Sequence, residues 1–287
     1  MPEAMAGALR VLPVPWWRWG PRRVPGGAPS PGGGRGGSLH LVERHARVYR
    51  HAWLMLISGL LEPLFYLLSL GVGLSQLVGH VTGPGGAPVS YTAFVAPALL
   101  ASSSMNGAIY DSTFNVFFRL KYAKLYDAAL ATPMRSVDVA LGEITWALIR
   151  GGMYAAAFMV IMLAMGLVHS AWAVLTVPVA LLIGFAFAAM GMAGTTYMRS
   201  WQHFEFVTLT TLPMFLFSGS FYPLSVYPPA LRIVVECTPL YQGVALLRGL
   251  TLGVVDPGML LRALYLALLG LAGLAIATRR IGHLLLR

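Results

Sequence analysis

The sequence predicts an all-α integral membrane protein. It has six transmembrane helices, an N-terminal amphipathic helix lying at the interface, and a re-entrant pair of short helices between spans five and six. Three observations predict this. The 287-residue chain is 57% hydrophobic and 10% charged, with a mean hydropathy of +0.71. A water-soluble domain carries about 25% charged residues, so there is too little polar surface here to cover one. The apolar residues gather into six separate runs, each near the ~20 residues a helix needs to cross the hydrocarbon core. Basic residues also cluster in alternate connections between those runs, as expected when positive charge stays on one side of the membrane.

Residues 1–37 form a Pro-, Gly- and Arg-rich segment that includes Pro31-Gly32-Gly33-Gly34. It cannot bury enough apolar area to offset its ordering entropy, and reads as a disordered cytoplasmic arm. No apolar h-region follows its basic residues before the Gly-rich tract, which argues against a signal peptide. Residues 38–287 read as the transmembrane domain. In residues 38–52, Leu39, Val42 and Ala46 fall at helical spacing, with Arg44, Arg47 and Arg50 on other faces. That pattern suits a helix lying on the inner leaflet with its cations toward anionic lipid.

The spans are expected at about 53–75, 92–118, 139–167, 172–198, 206–222 and 259–278. In lipid each backbone polar group must be paired within its own segment, so these runs should be helices. Eight arginines precede the first span: Arg10, Arg18, Arg22, Arg23, Arg35, Arg44, Arg47 and Arg50. Residues 76–91 hold no Lys or Arg, and neither do residues 168–171. Residues 119–137 hold Arg119, Lys121, Lys124 and Arg135; Arg199 lies between spans four and five, and Arg279, Arg280 and Arg287 end the chain. Both termini are therefore expected in the cytoplasm, with the chain in the cytoplasmic (plasma) membrane. Arg232, Arg248 and Arg262 depart from the alternation, and Glu236 and Asp256 partly balance them. The formal charge of +10 thus follows topology rather than a duplex-binding stripe, which argues against nucleic acid as a partner.

Residues 223–258 are too polar and Pro-rich to cross twice, yet too apolar for an ordinary loop. Two amphipathic runs, at about 229–237 and 240–252, are divided by Pro239. Two short helices dipping into the outer leaflet fit best, because irregular backbone at membrane depth survives only inside protein or along a cavity.

The stretch FLFSGSFYPLSVYPPALRIVVECTPLYQGVALLRGLTLG, residues 215–253, resembles the C-terminal signature of ABC-2 type exporter permeases. Glu62-Pro63 and the stretch LYDAALATPMRSVDVALGEI at 125–144 fit the same resemblance, which covers about residues 38–287. The branches most like it are the nodulation protein J permeases, which export lipo-oligosaccharides, and the daunorubicin-resistance permeases. The resemblance implies a dimer of permease subunits, each held by a separate cytoplasmic ATPase, so that two ATPase subunits serve one complex. It implies that the segment between spans two and three contains the coupling helix, and that the short helices after span five lie at the extracellular exit. The cargo it implies is amphipathic: a lipo-oligosaccharide, a lipid-linked glycan or a hydrophobic drug.

The chain itself offers no phosphate-binding loop. A Walker A motif needs Lys followed by Ser or Thr after a Gly-rich turn. The only lysines are Lys121, before Tyr122, and Lys124, before Leu125. No cofactor is expected on this chain; ATP and Mg belong to the partner ATPase. HExxH, GxSxG and CxxC motifs are absent, and the seven His are scattered outside or at the ends of the runs, so no catalytic or metal site is expected. Cys237, the only cysteine, has no intrachain partner.

The candidate ATPase contact is RLKYAKLYDAALATPMRSV, residues 119–137, with Arg119, Lys121, Lys124, Leu125, Tyr126, Asp127, Thr132, Pro133 and Arg135 as its site residues. Pro133 disfavours helix at Thr132 and ends the element there. The alternative is a membrane-surface helix without a partner. Candidate path residues are Glu62, Tyr66, Asp111, Phe215, Phe217, Phe221 and Tyr222. Charge at the bilayer centre is costly, so Glu62 either pairs across an interface or lines the path, or else sits protonated or hydrated beside the Pro63 kink. Asp111 adjoins the polar stretch Ser102-Ser103-Ser104 and Asn106 and is expected to face protein or water. Glu143 and Arg150, seven apart, share a helix face and are expected to pair with other spans. The aromatic group is either a boundary belt or a path lining.

Two other classes compete. An ion-coupled secondary transporter commonly shows inverted repeats, but residues 53–167 and 172–279 show none that convinces. A membrane-embedded glycan- or lipid-modifying enzyme would need a catalytic constellation. Cargo movement abolished by an uncoupler but indifferent to ATP depletion, or product formed by the single chain, would distinguish them.

Overall fold

The computed structural model describes Val42, residues 61–122 and residues 136–285. All of these lie in one unit, Gly33–Arg287. The expected arm, nearly all of the interfacial helix and the first part of span one therefore fall outside the described residues.

Helix α1, Leu61–Val78, carries a π-helical stretch over Leu67–Gly73 and ends at Gly79, whose φ of 69° stops the helix. A short hairpin follows, β1 (His80–Thr82) against β2 (Pro88–Ser90), in the register Val81 opposite Val89. The Pro84–Gly86 turn joins them. This hairpin occupies the connection at 76–91, between the first and second expected spans.

Ser90 caps the next helix by accepting from the Ala93 amide. Helix α2, residues 91–121, comprises Tyr91–Tyr110, a π-helical turn Asp111–Asn115, and Val116–Lys121. Helix α3 is Ser136–Ala164. Helix α4, Ala171–Thr195, opens with a 3₁₀ turn capped by Ser170. Helix α5, Phe204–Leu216, follows the 3₁₀ turn Trp201–His203. Then come α6 (Pro229–Cys237), α7 (Pro239–Leu252) and α8 (Gly258–Leu285).

Among the described residues, α1, α3, α4 and α8 are long and apolar enough to cross a membrane. The pair α6 and α7, bent by 84°, would make a fifth span if taken as one. The 31 residues of α2 would extend about 46 Å, but Ser102, Ser103, Ser104 and Asn106 make it too polar to join those four. Its cover is protein, with every residue from Tyr91 to Ser102 buried.

Within the expected fifth span at 206–222 the helix itself is shorter than the apolar run. Helix α5 has 13 residues, or about 20 Å, against a ~30 Å hydrocarbon core. Pro213 inside it removes a backbone donor. Ser218-Gly219-Ser220 follows, with Gly219 at φ 68°, and the chain turns away.

The core forms where small residues let backbones approach. Leu266, Gly270, Gly273, Ala277 and Ile281 make one buried line along α8, spaced as a single helix face. A Cβ on Gly273 would lie 2.7 Å from the Ala189 carbonyl carbon of α4, and one on Gly270 would lie 2.4 Å from the Phe185 ring. Lipid supplies no hydrophobic drive between helices, so such close packing holds them together.

Candidate functional site

Two ion pairs join α2 to α3. Arg150 pairs with Asp111, and Arg119 pairs with Glu143. The α2 members lie eight apart and the α3 members seven apart, so two antiparallel helix faces meet at two levels. Asp111 also accepts from Asn115 Nδ2 at 2.9 Å. Its carboxylate is 9% exposed and the Arg150 side chain 14%. The expectation that Glu143 and Arg150 bind other spans is met on α2. The π-helical turn falls at Asp111–Asn115. Such turns often mark functional positions. Here Asp111 of the turn meets α3, while the Ser112 carbonyl accepts from Thr195 Oγ1 of α4 at 3.1 Å.

Beside the Asp111–Arg150 pair is a cleft lined by Ser103, Ser104, Gly107, Gly151 and Tyr154, with about 20 Å³ of space. That accommodates one water rather than an amphiphile.

The expected path residues separate into four places. Glu62 is exposed on α1, on the same helix as exposed Leu61, Phe65 and Leu68; a carboxylate on a lipid-facing surface requires protein or water against it. Tyr66, Phe215 and Phe221 form a chain of rings, with centroids 6.4 Å and 5.2 Å apart. Phe217 and Tyr222 flank Tyr227 at 6.2 Å and 5.2 Å. Burial, and then the adjacent Tyr222 phenol, hold the Tyr227 hydroxyl well above its usual pKa. Asp111 is in neither ring group.

Of the expected docking residues, Arg119 is held by Glu143 and Lys121 is exposed at the end of α2. Lys124, Leu125, Tyr126, Asp127, Thr132, Pro133 and Arg135 lie outside the described residues.

Two features were not singled out from the sequence. The first is Arg248 on α7, buried to 8% exposure. Its Nε donates to the Phe94 carbonyl at 3.1 Å and its Nη2 to the Gly219 carbonyl at 2.9 Å. The guanidinium carbon lies 3.6 Å from the Phe94 ring centroid. One side chain thus ties α7 to the start of α2 and to the turn after α5. Its signal in the sequence was a lone cation in the apolar run Ala245-Leu246-Leu247-Arg248.

The second is a ring cluster at the end of α2 that bears Arg119. Phe114 stacks on Phe204 at 4.2 Å and on Tyr110 at 4.9 Å. Phe117 meets Phe204 edge-on at 5.1 Å, and Trp201 lies 5.1 Å from Phe204. Tyr110, Phe114 and Phe117 fall at i, i+4 and i+7, a helical stripe; their partners lie more than 80 residues on.

Residues 39–252 match the family described as ABC-2 type transporter. The chain is 34% identical over 228 residues to Nodulation protein J of Rhizobium leguminosarum bv. trifolii, covering 77% of this chain and 85% of that protein. Nodulation protein J of R. leguminosarum bv. viciae is 31% identical, with 75% and 82% covered. That of Rhizobium meliloti (strain 1021) is 31% identical, with 69% and 74% covered.

Proposed function

This chain belongs to the ABC-2 type transporter family, and from that premise we propose that it is the multi-pass permease subunit of an ATP-driven exporter. The observation that carries the proposal is family membership in a chain with membrane-length apolar helices and no lysine in a phosphate-binding loop. Energy then comes from a separate cytoplasmic ATPase that holds ATP and Mg. Two ATPase subunits and two permease subunits, identical or different, make the complex. Six segments of the chain traverse the cytoplasmic membrane with both termini inside; α2 is one of them, sheltered by protein, α5 with its flanking turns is another, and α6 and α7 dip into the outer leaflet.

The cargo is amphipathic: a lipo-oligosaccharide, a lipid-linked glycan or a hydrophobic drug. The cleft beside the Asp111–Arg150 pair fits a water, and the path for a larger cargo runs between two permease subunits. Exposed Glu62 and Tyr66 of α1 and the Phe215, Phe217, Phe221 and Tyr222 rings line it, with Asp111 set deeper.

The segment from Arg119 to Arg135 docks the ATPase. Because Arg119 holds Glu143, reversing its charge would disturb an internal pair as well as docking. The cleaner test reverses Lys121 and Lys124. The double variant Lys121→Glu, Lys124→Glu is expected to stay in the membrane, lose the ATPase on co-purification and lose export by tenfold or more, the effect of about 1.4 kcal/mol in docking. Full ATPase recovery and export in that variant would place docking elsewhere.

A further inference from the structure

Helix α5 is almost unsupported. Of its 13 residues only Phe204 is buried; Leu209 is 69% exposed and Phe206 64%. Phe204 is also the residue that enters the ring cluster, between Phe114 and Phe117 of α2 and beside Trp201. The one firm hold on this end of α5 is therefore made with α2, one turn from Arg119. At its other end α5 leads into Gly219, whose carbonyl Arg248 fixes. A short helix gripped at both ends and, within this chain, mostly exposed between them is built as a lever.

We propose that the Phe114–Phe117–Trp201–Phe204 cluster is the joint that passes movement of the docking segment to α5. The proposal rests on the permease reading above. Close-packed rings transmit displacement because packed contacts shift between discrete arrangements rather than deform continuously. Phe114 lies on the π-helical turn of α2, where the backbone ladder departs from regular helix. The two ion pairs to α3 bracket the α2 side of the joint in sequence, at Asp111 and Arg119. They tie that stretch of α2 to α3, leaving α5 as the member that moves. Phe204 is a positioning residue here, acting on α5 without touching cargo or nucleotide.

The test uses the complete permease–ATPase complex in nanodiscs, in a Cys237→Ser background. Spin labels are placed at Val137→Cys, beside the docking segment, or at exposed Leu209→Cys in α5. ATP with vanadate is expected to change label mobility at both positions in the parent complex. Phe204→Ala and Phe114→Ala should preserve the response at 137 and reduce that at 209 about fivefold or more, the lower end of allosteric coupling. Phe204→Tyr, which keeps the ring, should restore it. Should an alanine variant assemble poorly, Phe204→Leu removes the ring at little loss of apolar volume and is expected to give the same loss at 209. An undiminished response at 209 in the ring-removed variants would overturn the joint. No nucleotide response at either position in the parent would sink the permease reading, and the joint with it.

Discussion

Replacing Arg150 with methionine is expected to destabilise the detergent-solubilised protein by on the order of 3 kcal/mol or more, because it strands the Asp111 carboxylate. That carboxylate is 9% exposed, and Arg150 is its ion-pair partner. Removing one member of a buried pair leaves a charge without compensation, whereas removing both leaves only a packing defect. The double variant Asp111→Asn, Arg150→Met should therefore be more stable than Arg150→Met alone. Asn keeps the shape of Asp111 and can still meet Asn115, its other partner. Thermal unfolding followed by fluorescence size exclusion reads this out, with about 2–4 °C per kcal/mol for a chain of this order of size. A double variant less stable than the single one would show that Asp111 needs its charge for a reason other than Arg150.

Arg248→Met is the second large effect. The substitution leaves the Phe94 and Gly219 carbonyls without their guanidinium donor and removes a cation from the Phe94 ring. Lost charge-assisted bonds and the lost cation–π contact together place the cost on the order of 3 kcal/mol. Arg248→Lys should recover little. An ammonium on a flexible stem cannot present donors in two fixed directions while its plane stacks on a ring. Near-parental thermal stability of the lysine variant would show that charge, not the planar fork, is what this position requires.

What the sequence revealed and what it concealed divide along one physical line. Features set by neighbours in the chain were readable. The short helices at Pro229–Cys237 and Pro239–Leu252 are bounded by proline at their first positions, by the Thr238 cap and by Gly253, all local signals. The long apolar helices α3, α4 and α8 were equally plain. The fifth run is longer than its helix because hydropathy passes over the Ser218-Gly219-Ser220 turn, while the helical backbone stops before it. Arg119 was read as a docking cation from the charges beside it; its pairing with Glu143 needed the α2–α3 register. Glu62, a path candidate, appears on an exposed helix face, which a one-dimensional reading cannot place. Arg248 and the ring cluster were hidden for a different reason. Residues 94, 219 and 248, like 114, 117, 201 and 204, meet only after the chain folds, and no local periodicity announces a contact across so many residues.

The central claim is that this polypeptide is the membrane half of a machine whose motor is a second chain. The most direct measurement is to purify the full-length protein from its native membrane in mild detergent and identify what accompanies it. The expected result is a stoichiometric polypeptide carrying a phosphate-binding loop, with ATP hydrolysis that follows the complex through gel filtration. Recovery of the chain alone, together with cargo movement that persists after ATP is exhausted, would contradict it.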